Sequence, residues 1–312
     1  MRIFPRAVGT GLALLTGCVD YDVVRKQDVE SFRQPAREGG VDILWVIDSS
    51  YSMDEEQLQL ASHAATFITF LSTAPVDFQL GVTTTDGGGG GQLLGPMLAT
   101  DNPDLTDAFV AQVTSVGDGD RTEVGFEAAV GAAQSGQLRP RADLEVVFFT
   151  DEDDQSSFSP ADFVDAIDAA HANGAVVVNA ITGDLPDGCA SIAAAADPAP
   201  RYVKAQEQTG GLRESICSYD YDAMLERMAL KVLGLEVRFY LAKLPELATM
   251  EVRVDGALVH RRDRHGWRYD AGDNSIVFDG YAVPPPGAGI EVAYYEWAGR
   301  TSREVLDTGV AE

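Results

Sequence analysis

The sequence predicts an α/β fold with a doubly wound, mostly parallel sheet, followed by a small antiparallel β module. The first observation is a series of apolar runs that alternate with segments of helical periodicity, as in a parallel sheet covered by helices on both faces. These runs are Val41–Ile47, Phe78–Thr84 and residues 144–150 and 175–181. The second observation is a change to a two-residue apolar period at Leu235, which is typical of antiparallel strands.

The domain boundaries follow from these changes of period. The chain has 312 residues, enough for two folded units, and is 45% hydrophobic, enough to bury a core. We expect the α/β domain to occupy residues 41–234 and the β module residues 235–298. Residues 299–312 are predicted to form a flexible tail.

The amino terminus has the composition of a secretory signal peptide, predicted over residues 1–17. Arg2 and Arg6 supply its positive region, and the apolar segment that follows is too short to cross a bilayer. The segment ends in Leu-Thr-Gly-Cys, which resembles the bacterial lipobox and implies cleavage before Cys18 and acylation of that residue. The alternative is an ordinary secretory signal with an incidental cysteine.

A lipidated Cys18 would hold the protein in the cell envelope, anchored to a membrane and outside the cytoplasm. Val19 follows it in place of the acidic residue that would indicate retention at the inner membrane, so the outer membrane is favoured. Residues 18–40 are polar and of mixed charge, and we expect them to form a tether between the lipid and the first strand.

The charge balance excludes one class of partner. The chain has 49 acidic and 23 basic residues, a net charge of −26 at neutral pH. Such a charge would be repelled by a phosphate backbone, so nucleic acid is not expected as a partner. The five glycines at 87–91 lack the Lys-Ser/Thr ending of a phosphate-binding loop, so nucleotide binding is not predicted either.

Three oxygen-bearing side chains follow the first apolar strand at alternate positions: Asp48, Ser50 and Ser52. The carboxyl end of such a strand lies at the edge of an open α/β sheet, where ligands bind. One carboxylate and two hydroxyls form a hard oxygen set that suits Mg²⁺ or Mn²⁺ and is poor for zinc, copper or iron. The alternative is a serine-rich turn that begins the next helix.

This D-x-S-x-S pattern resembles the metal-ion-dependent adhesion site (MIDAS) of the von Willebrand factor type A family, and DSSYSM is especially similar to the inserted domain of integrin β chains. The resemblance implies two further ligands. Thr122 matches a threonine that precedes a helix rich in small residues, although a helix-capping role is the alternative. Asp151 matches the aspartate that ends a later strand. The family commonly has glycine next, where this chain has Glu152, either an extra carboxylate at the rim or a solvated turn.

The resemblance also implies a second metal position. In integrin β chains, acids just past the motif hold an adjacent Ca²⁺, and Glu55 and Glu56 stand at the matching positions, although the family has aspartate there. The alternative is that both are ordinary acids in the first turn of a helix, where they interact favourably with the helix dipole.

The cysteine count of three leaves one pair once Cys18 is assigned to the lipid. Export implies an oxidising compartment, so we expect a disulfide between Cys189 and Cys217. Two buried free thiols are the alternative.

The sequence predicts a binding protein, not an enzyme. It has no HExxH motif, no serine elbow and no cysteine placed beside a histidine in a known motif. In the resembled family, the metal completes its coordination with a carboxylate from the partner. We therefore expect a lipid-anchored extracytoplasmic protein that binds an acidic residue of a protein partner through its divalent cation. The alternative is an envelope scaffold whose β module carries the interaction, with an incidental metal.

Overall fold

The computed structural model describes residues 26–37, 39–86, 91–117, 119, 122–191 and 194–297. The predicted signal peptide, Cys18, the beginning of the tether, the tail and most of the glycine run lie outside these residues. None of the helices in the described part of the chain is long and apolar enough to cross a bilayer.

The secondary structure follows the predicted alternation of strands and helices. The strands are β1 (Gln27–Arg33), β2 (Val41–Ile47), β3 (Phe78–Thr84), β4 (Leu98–Ala99), β5 (Asp143–Phe149), β6 (Val176–Thr182), β7 (Cys189–Ala190), β8 (Ala195–Ala196), β9 (Arg213–Ser215), β10 (Arg238–Tyr240), β11 (Glu251–Val254), β12 (Ala257–Val259), β13 (Trp267–Asp270), β14 (Ser275–Phe278) and β15 (Gly289–Tyr295). The helices are α1 (Asp54–Thr73), α2 (Leu105–Thr114), α3 (Gly125–Gln134), α4 (Pro160–Ala170), α5 (Pro200–Thr209) and α6 (Tyr221–Val232).

The central sheet has six strands in the order β4-β3-β2-β5-β6-β9. The strands from β3 to β9 in this order run parallel, and β4 pairs antiparallel at the edge. This order confirms the predicted doubly wound, mostly parallel sheet. The direction of winding reverses between β2 and β5, so the loops after these two strands open a crevice at the carboxyl edge of the sheet.

Strand β2 is buried along its whole length because helices cover both faces of the sheet. Trp45 packs on one face against Phe67 of α1 and Phe109 of α2, with ring centroids 5.1 and 5.7 Å away. Leu44 and Val46 point to the other face, in the core formed with α3, α4 and α5. A strand that is buried on both faces needs a continuous apolar sequence, which is the pattern that predicted it.

The β module contains two antiparallel sheets, ordered β1-β15-β11-β12 and β10-β14-β13. It packs on the α/β domain, where Tyr281 stacks on Phe70 of α1 with ring centroids 4.8 Å apart. The small antiparallel module predicted from the change of period is therefore confirmed, with the amino-terminal β1 as an additional strand.

The prediction that residues 18–40 are a tether is wrong for β1, which pairs with β15 along its full length. The alternation in β1 is hidden because its half-buried positions include Asp28 and Glu30 as well as Phe32. Phe32 packs against Phe239, with ring centroids 5.6 Å apart. The folded structure therefore begins well before the first strand of the central sheet.

Candidate metal centre

The loops at the carboxyl edge of the central sheet bring together oxygen-bearing side chains from three places in the chain. Asp48 follows β2 directly, and Asp151 lies two residues after the end of β5. The backbone of Glu123 forms a bridge with Asp86, just after β3. This convergence follows from the parallel strands, whose carboxyl ends meet at one edge.

Asp48 is fully buried, and both of its carboxylate oxygens accept hydrogen bonds. The backbone N–H of Ser50 donates to Oδ1 at 2.7 Å, and the hydroxyl of Thr150 donates to Oδ2 at 2.6 Å. The Ser50 hydroxyl lies 2.9 Å from that of Ser52. The structure thus groups the three residues of the predicted motif, and Thr150 joins their loop to the loop after β5.

Asp151, the predicted ligand from the second loop, is 5% exposed. Its pKa is raised to about 7, chiefly by burial and next by the charge of Asp48, while a hydrogen bond from Ser52 acts in the opposite direction. Its Oδ1 is buried and has no hydrogen-bond partner in the described part of the chain. One carboxylate oxygen is therefore available for a cation.

Glu123 is a candidate ligand that the sequence did not indicate. It is fully buried, and its Oε2 accepts a hydrogen bond from the Thr85 hydroxyl. Its Oε1 is buried without a partner among the described residues. Burial, followed by the charge of Asp48, raises the pKa of Glu123 to about 8. The one sequence signal was its position next to the predicted ligand Thr122.

Thr122 is exposed, whereas Glu123 points into the protein. Successive side chains in an extended segment point to opposite sides, so a backbone that buries Glu123 turns Thr122 outward. The role of Thr122 as a metal ligand stays a prediction.

Glu55 and Glu56, the predicted ligands of a second ion, differ in environment. Glu55 is exposed, whereas Glu56 is 2% exposed and its Oε2 has no hydrogen-bond partner within the described ranges. The pKa of Glu56 is raised by burial, and a hydrogen bond from the backbone of Ala195 is among the effects that lower it. Both glutamates line a hollow of about 320 Å³ together with Ser52 and Asp151, Glu56 as the buried member and Glu55 as the exposed one. The second ion stays a prediction.

The acidic residues that follow β5, at positions 151–154, have different partners: some lie at the crevice and others contact the ends of helices. Asp154 accepts from the backbone N–H of Phe126 at 3.0 Å and pairs with the Arg201 side chain at 2.9 Å. Asp153 accepts from the backbone N–H of Arg201 at 3.0 Å. These two carboxylates hold the beginnings of α3 and α5. Glu152 is half-buried at the rim, and burial and Asp48 raise its pKa.

A disulfide joins Cys189 to Cys217, as predicted, with their Cα atoms 6.1 Å apart. Cys189 begins the hairpin of β7 and β8, and Asp197 after this hairpin donates its backbone N–H to the Asp151 carbonyl at 2.8 Å. The hairpin also lines a hollow of about 330 Å³ together with Ser52 and Asp151. The disulfide therefore fastens one wall of the crevice.

The crevice fits a hard divalent cation. Asp48, Glu123 and Asp151 place three carboxyl groups in a buried environment, and on two of them one oxygen has no hydrogen-bond partner among the described residues. Burial, followed by the charge of Asp48, raises the pKa values of Glu123 and Asp151, and a cation would relieve both effects. Across the described ranges, no three His, Cys, Asp or Glu side chains form a metal-binding cluster by themselves. A cation here would therefore use serine hydroxyls as well.

The comparisons with known proteins show likeness at the level of fold. No family model matches the chain, and no curated protein matches it. The pilus adhesin SpaC from Lactobacillus rhamnosus GG, in its open conformation, is 12% identical with a TM-score of 0.49, over 86% of this chain and 42% of that chain. A von Willebrand factor type A structure from Catenulispora acidiphila is 15% identical with a TM-score of 0.44, over 88% of this chain and 66% of that one.

A third similar structure is proximal thread matrix protein 1 from the mussel byssus, with a zinc-occupied MIDAS motif. It is 15% identical with a TM-score of 0.44, over 66% of this chain and 48% of that one. This chain thus spans less than half of the adhesin and of the byssus protein.

The sheet order and the crevice at its carboxyl edge define a doubly wound α/β domain, the fold class that the sequence predicted. At these identities the likeness is one of fold, and the fold class rests on the sheet order described above.

Proposed function

We propose that this protein binds a divalent cation in the crevice and uses the cation to capture a carboxylate of a protein partner, while a lipid on Cys18 anchors the chain outside the cytoplasm. The observation that carries the proposal is the burial of Asp48, Glu123 and Asp151 at one edge of the sheet. On Glu123 and Asp151, one carboxylate oxygen each has no hydrogen-bond partner in the part of the chain that the structure describes. Uncompensated buried carboxylates are costly, and a cation is the partner that suits them.

The residues of the crevice have different roles in binding the cation. Glu123 and Asp151 each offer an oxygen that no described residue hydrogen-bonds, and Ser50 and Ser52 offer hydroxyls. Asp48 already accepts two hydrogen bonds, so it adds charge and orients Ser50. The two hydroxyls carry no charge, so the negative charge around the cation comes from the carboxylates alone.

The choice of ion follows from the oxygen ligands. Mg²⁺ and Mn²⁺ suit a small set of carboxylates and hydroxyls, and Ca²⁺ is the proposed ion for any second position near Glu56. We assign no catalytic reaction, because the sequence has none of the nucleophile or general-base motifs considered above.

The location outside the cytoplasm is supported by two independent features. The amino-terminal sequence resembles a lipoprotein signal, and Cys189 and Cys217 form a disulfide of the kind that persists in oxidising compartments.

Isothermal titration calorimetry tests the metal site. We expect the wild-type protein to bind Mg²⁺ or Mn²⁺, and Asp151→Asn to weaken binding by at least about tenfold, or 1.4 kcal/mol. Asp101→Asn, at an exposed position in another part of the chain, is the charge-matched control and should bind as the wild type does. A wild-type protein that gives no binding signal with either ion would refute the proposal.

Crosslinking in native envelopes tests capture of a partner. We expect a partner that is recovered in Mg²⁺ and lost in EDTA, and lost equally with Asp151→Asn. A partner that survives both EDTA and the substitution would indicate the scaffold role, with the interaction carried by the β module.

A further inference from the structure

We infer that an exposed apolar surface of the β module rests on the membrane interface, where the bilayer that holds the lipid anchor covers it. This surface, called the module end, consists of Leu244, Leu247, Tyr269 and Trp297. The inference rests on the lipid anchor of the proposed function and adds the face by which the anchored protein meets the bilayer.

The module end exposes large apolar side chains side by side. Leu244, Leu247 and Trp297 are 54%, 41% and 57% exposed. Together with Pro245, Tyr269 and one charged residue, Glu246, they line an open hollow of about 400 Å³. Contiguous apolar residues of this size on a surface mark a site of interaction, unlike scattered single residues.

The aromatic residues of the module end suit a membrane interface. Tryptophan and tyrosine have an apolar ring and a polar atom, and they concentrate where hydrocarbon meets headgroups. Trp45 and Trp267 are buried in the protein, so Trp297 is the tryptophan that faces outward.

Strand β1, near the beginning of the described residues, lies beside the module end. Gln27, the first residue of β1, pairs with Tyr295 of β15, two residues before Trp297. The backbone N–H of Trp297 donates to the carbonyl of Leu244 at 2.8 Å. Neighbouring strands lie about 4.8 Å apart, so the amino-terminal segment begins within about two strand spacings of this surface.

The length of the segment between Cys18 and Lys26 limits the distance between the module end and the bilayer. Eight residue steps separate Cys18 from Lys26, the first described residue. Fully extended, eight residues reach at most about 30 Å, and a flexible chain of that length averages about half as much. An acyl group on Cys18 therefore keeps the module end within a short distance of the headgroups.

The charges around the module end favour an apolar contact over an electrostatic one. Lys243 pairs with Asp28 at 3.1 Å and with Glu296 at 3.2 Å, so the local acids are partly neutralised. The chain as a whole carries a net charge of −26 and is repelled by anionic lipid. The surface thus fits a zwitterionic lipid interface, and its contact should resist salt.

Trp297 supplies the readout for a test. The full-length acylated protein is reconstituted in vesicles of phosphatidylethanolamine and phosphatidylcholine, and its acylation is verified by mass spectrometry. We expect spin-labelled lipid to quench its tryptophan fluorescence. Acrylamide should quench it at least twofold less in vesicles than in a chain that begins at Val19, has no acyl chains and is free in buffer. Trp297→Phe should abolish both effects, and high salt should change neither.

Variants of the leucines separate contact from mere proximity. Leu244 and Leu247 are both exposed, so Leu244→Asp and Leu247→Asp should leave acylation and Mg²⁺ binding unchanged. Each variant should restore the quenching of Trp297 by acrylamide. An acylated protein whose Trp297 is quenched by acrylamide but not by lipid would overturn the inference, and so would a mature protein without acyl chains. A Trp297 that is shielded from acrylamide equally in vesicles and in the unacylated chain in buffer would show that another part of the chain covers it, which also overturns the inference. Mg²⁺ titration of the same samples reports the crevice separately.

Discussion

The carboxyl groups of Glu123 and Asp48 lie side by side at the carboxyl edge of the sheet, and this closeness, after burial, raises the pKa of Glu123 to about 8. The two residues come from separate loops, 75 positions apart in a 312-residue chain. Two buried carboxylates this close do not both ionise readily without a cation. The closeness of the two carboxyl groups is thus a physical reason for a cation to bind here. It also makes Glu123 a candidate ligand, which the sequence did not indicate.

Replacing Glu123 with glutamine should weaken Mg²⁺ binding by at least about tenfold, because a neutral amide then replaces a carboxylate. One oxygen of that carboxylate has no hydrogen-bond partner among the described residues. The matched comparison is Thr122→Val, which removes the hydroxyl that the sequence resemblance predicts as a ligand. Calorimetric titration of both variants measures the two contributions. A larger loss with Thr122→Val than with Glu123→Gln would contradict the site described here.

The stability of the metal-free protein should fall as pH rises from about 5.5 to 8. Glu123 and Asp151 have folded-state pKa values of about 8 and about 7, above their ordinary values of 4.5 and 3.8. Over this interval the unfolded chain binds fewer protons than the folded chain, so the free energy of unfolding decreases. Allowing for solvent screening, we expect a loss on the order of 2 kcal/mol.

Saturating Mg²⁺ should offset this loss, because the cation replaces the protons on the same carboxylates. Thermal unfolding in EDTA and in Mg²⁺ at the two pH values measures the effect. We expect the increase in Tm with Mg²⁺ to be larger at the higher pH, and an increase that is larger at the lower pH would contradict the assignment.

Removing the disulfide by Cys189→Ala together with Cys217→Ala should destabilise the protein by about 3–4 kcal/mol through the entropy of loop closure. The bond spans 28 residues and fastens the hairpin that borders Asp151. Mg²⁺ affinity should also decrease, because the crevice wall loses its attachment. Chemical denaturation measures the first effect and calorimetry the second, and unchanged affinity would show that the hairpin holds its position without the bond.

Substitution of Arg37 tests whether the segment before β2 is part of the folded structure. Its guanidinium pairs with Glu145, which is fully buried on β5, and with Asp143 at 3.1 Å. Arg37→Ala would leave the Glu145 carboxylate without its cation, and we expect destabilisation of about 3–5 kcal/mol.

Adding Glu145→Gln to Arg37→Ala should recover part of the loss, because the unpaired charge is then removed. Urea denaturation of the single and double variants measures the coupling between the two residues. If Arg37 lay in a flexible tether, replacing it would not change the free energy of unfolding. An unaltered stability of Arg37→Ala would therefore support the predicted tether over residues 18–40.

The sequence was most informative where structure depends on local pattern. The run Val41–Ile47 predicts the bounds of β2, because a strand covered on both faces must be apolar throughout. Asp48 and Asp151 reach the same edge of the sheet because each follows a parallel strand at its carboxyl end. The disulfide was predictable because two cysteines remained after Cys18 was assigned.

By itself, the sequence thus determined the layers of the α/β domain, the edge that carries the crevice and the pairing of Cys189 with Cys217. Only the tertiary structure decided that Glu123 is buried beside Asp48 and that Thr122 faces outward, because these orientations depend on packing between separate loops. It likewise decided that β1 is part of the fold. The partner of that strand lies at the far end of the chain, and its inward-facing acids hide the alternation on which a local prediction depends.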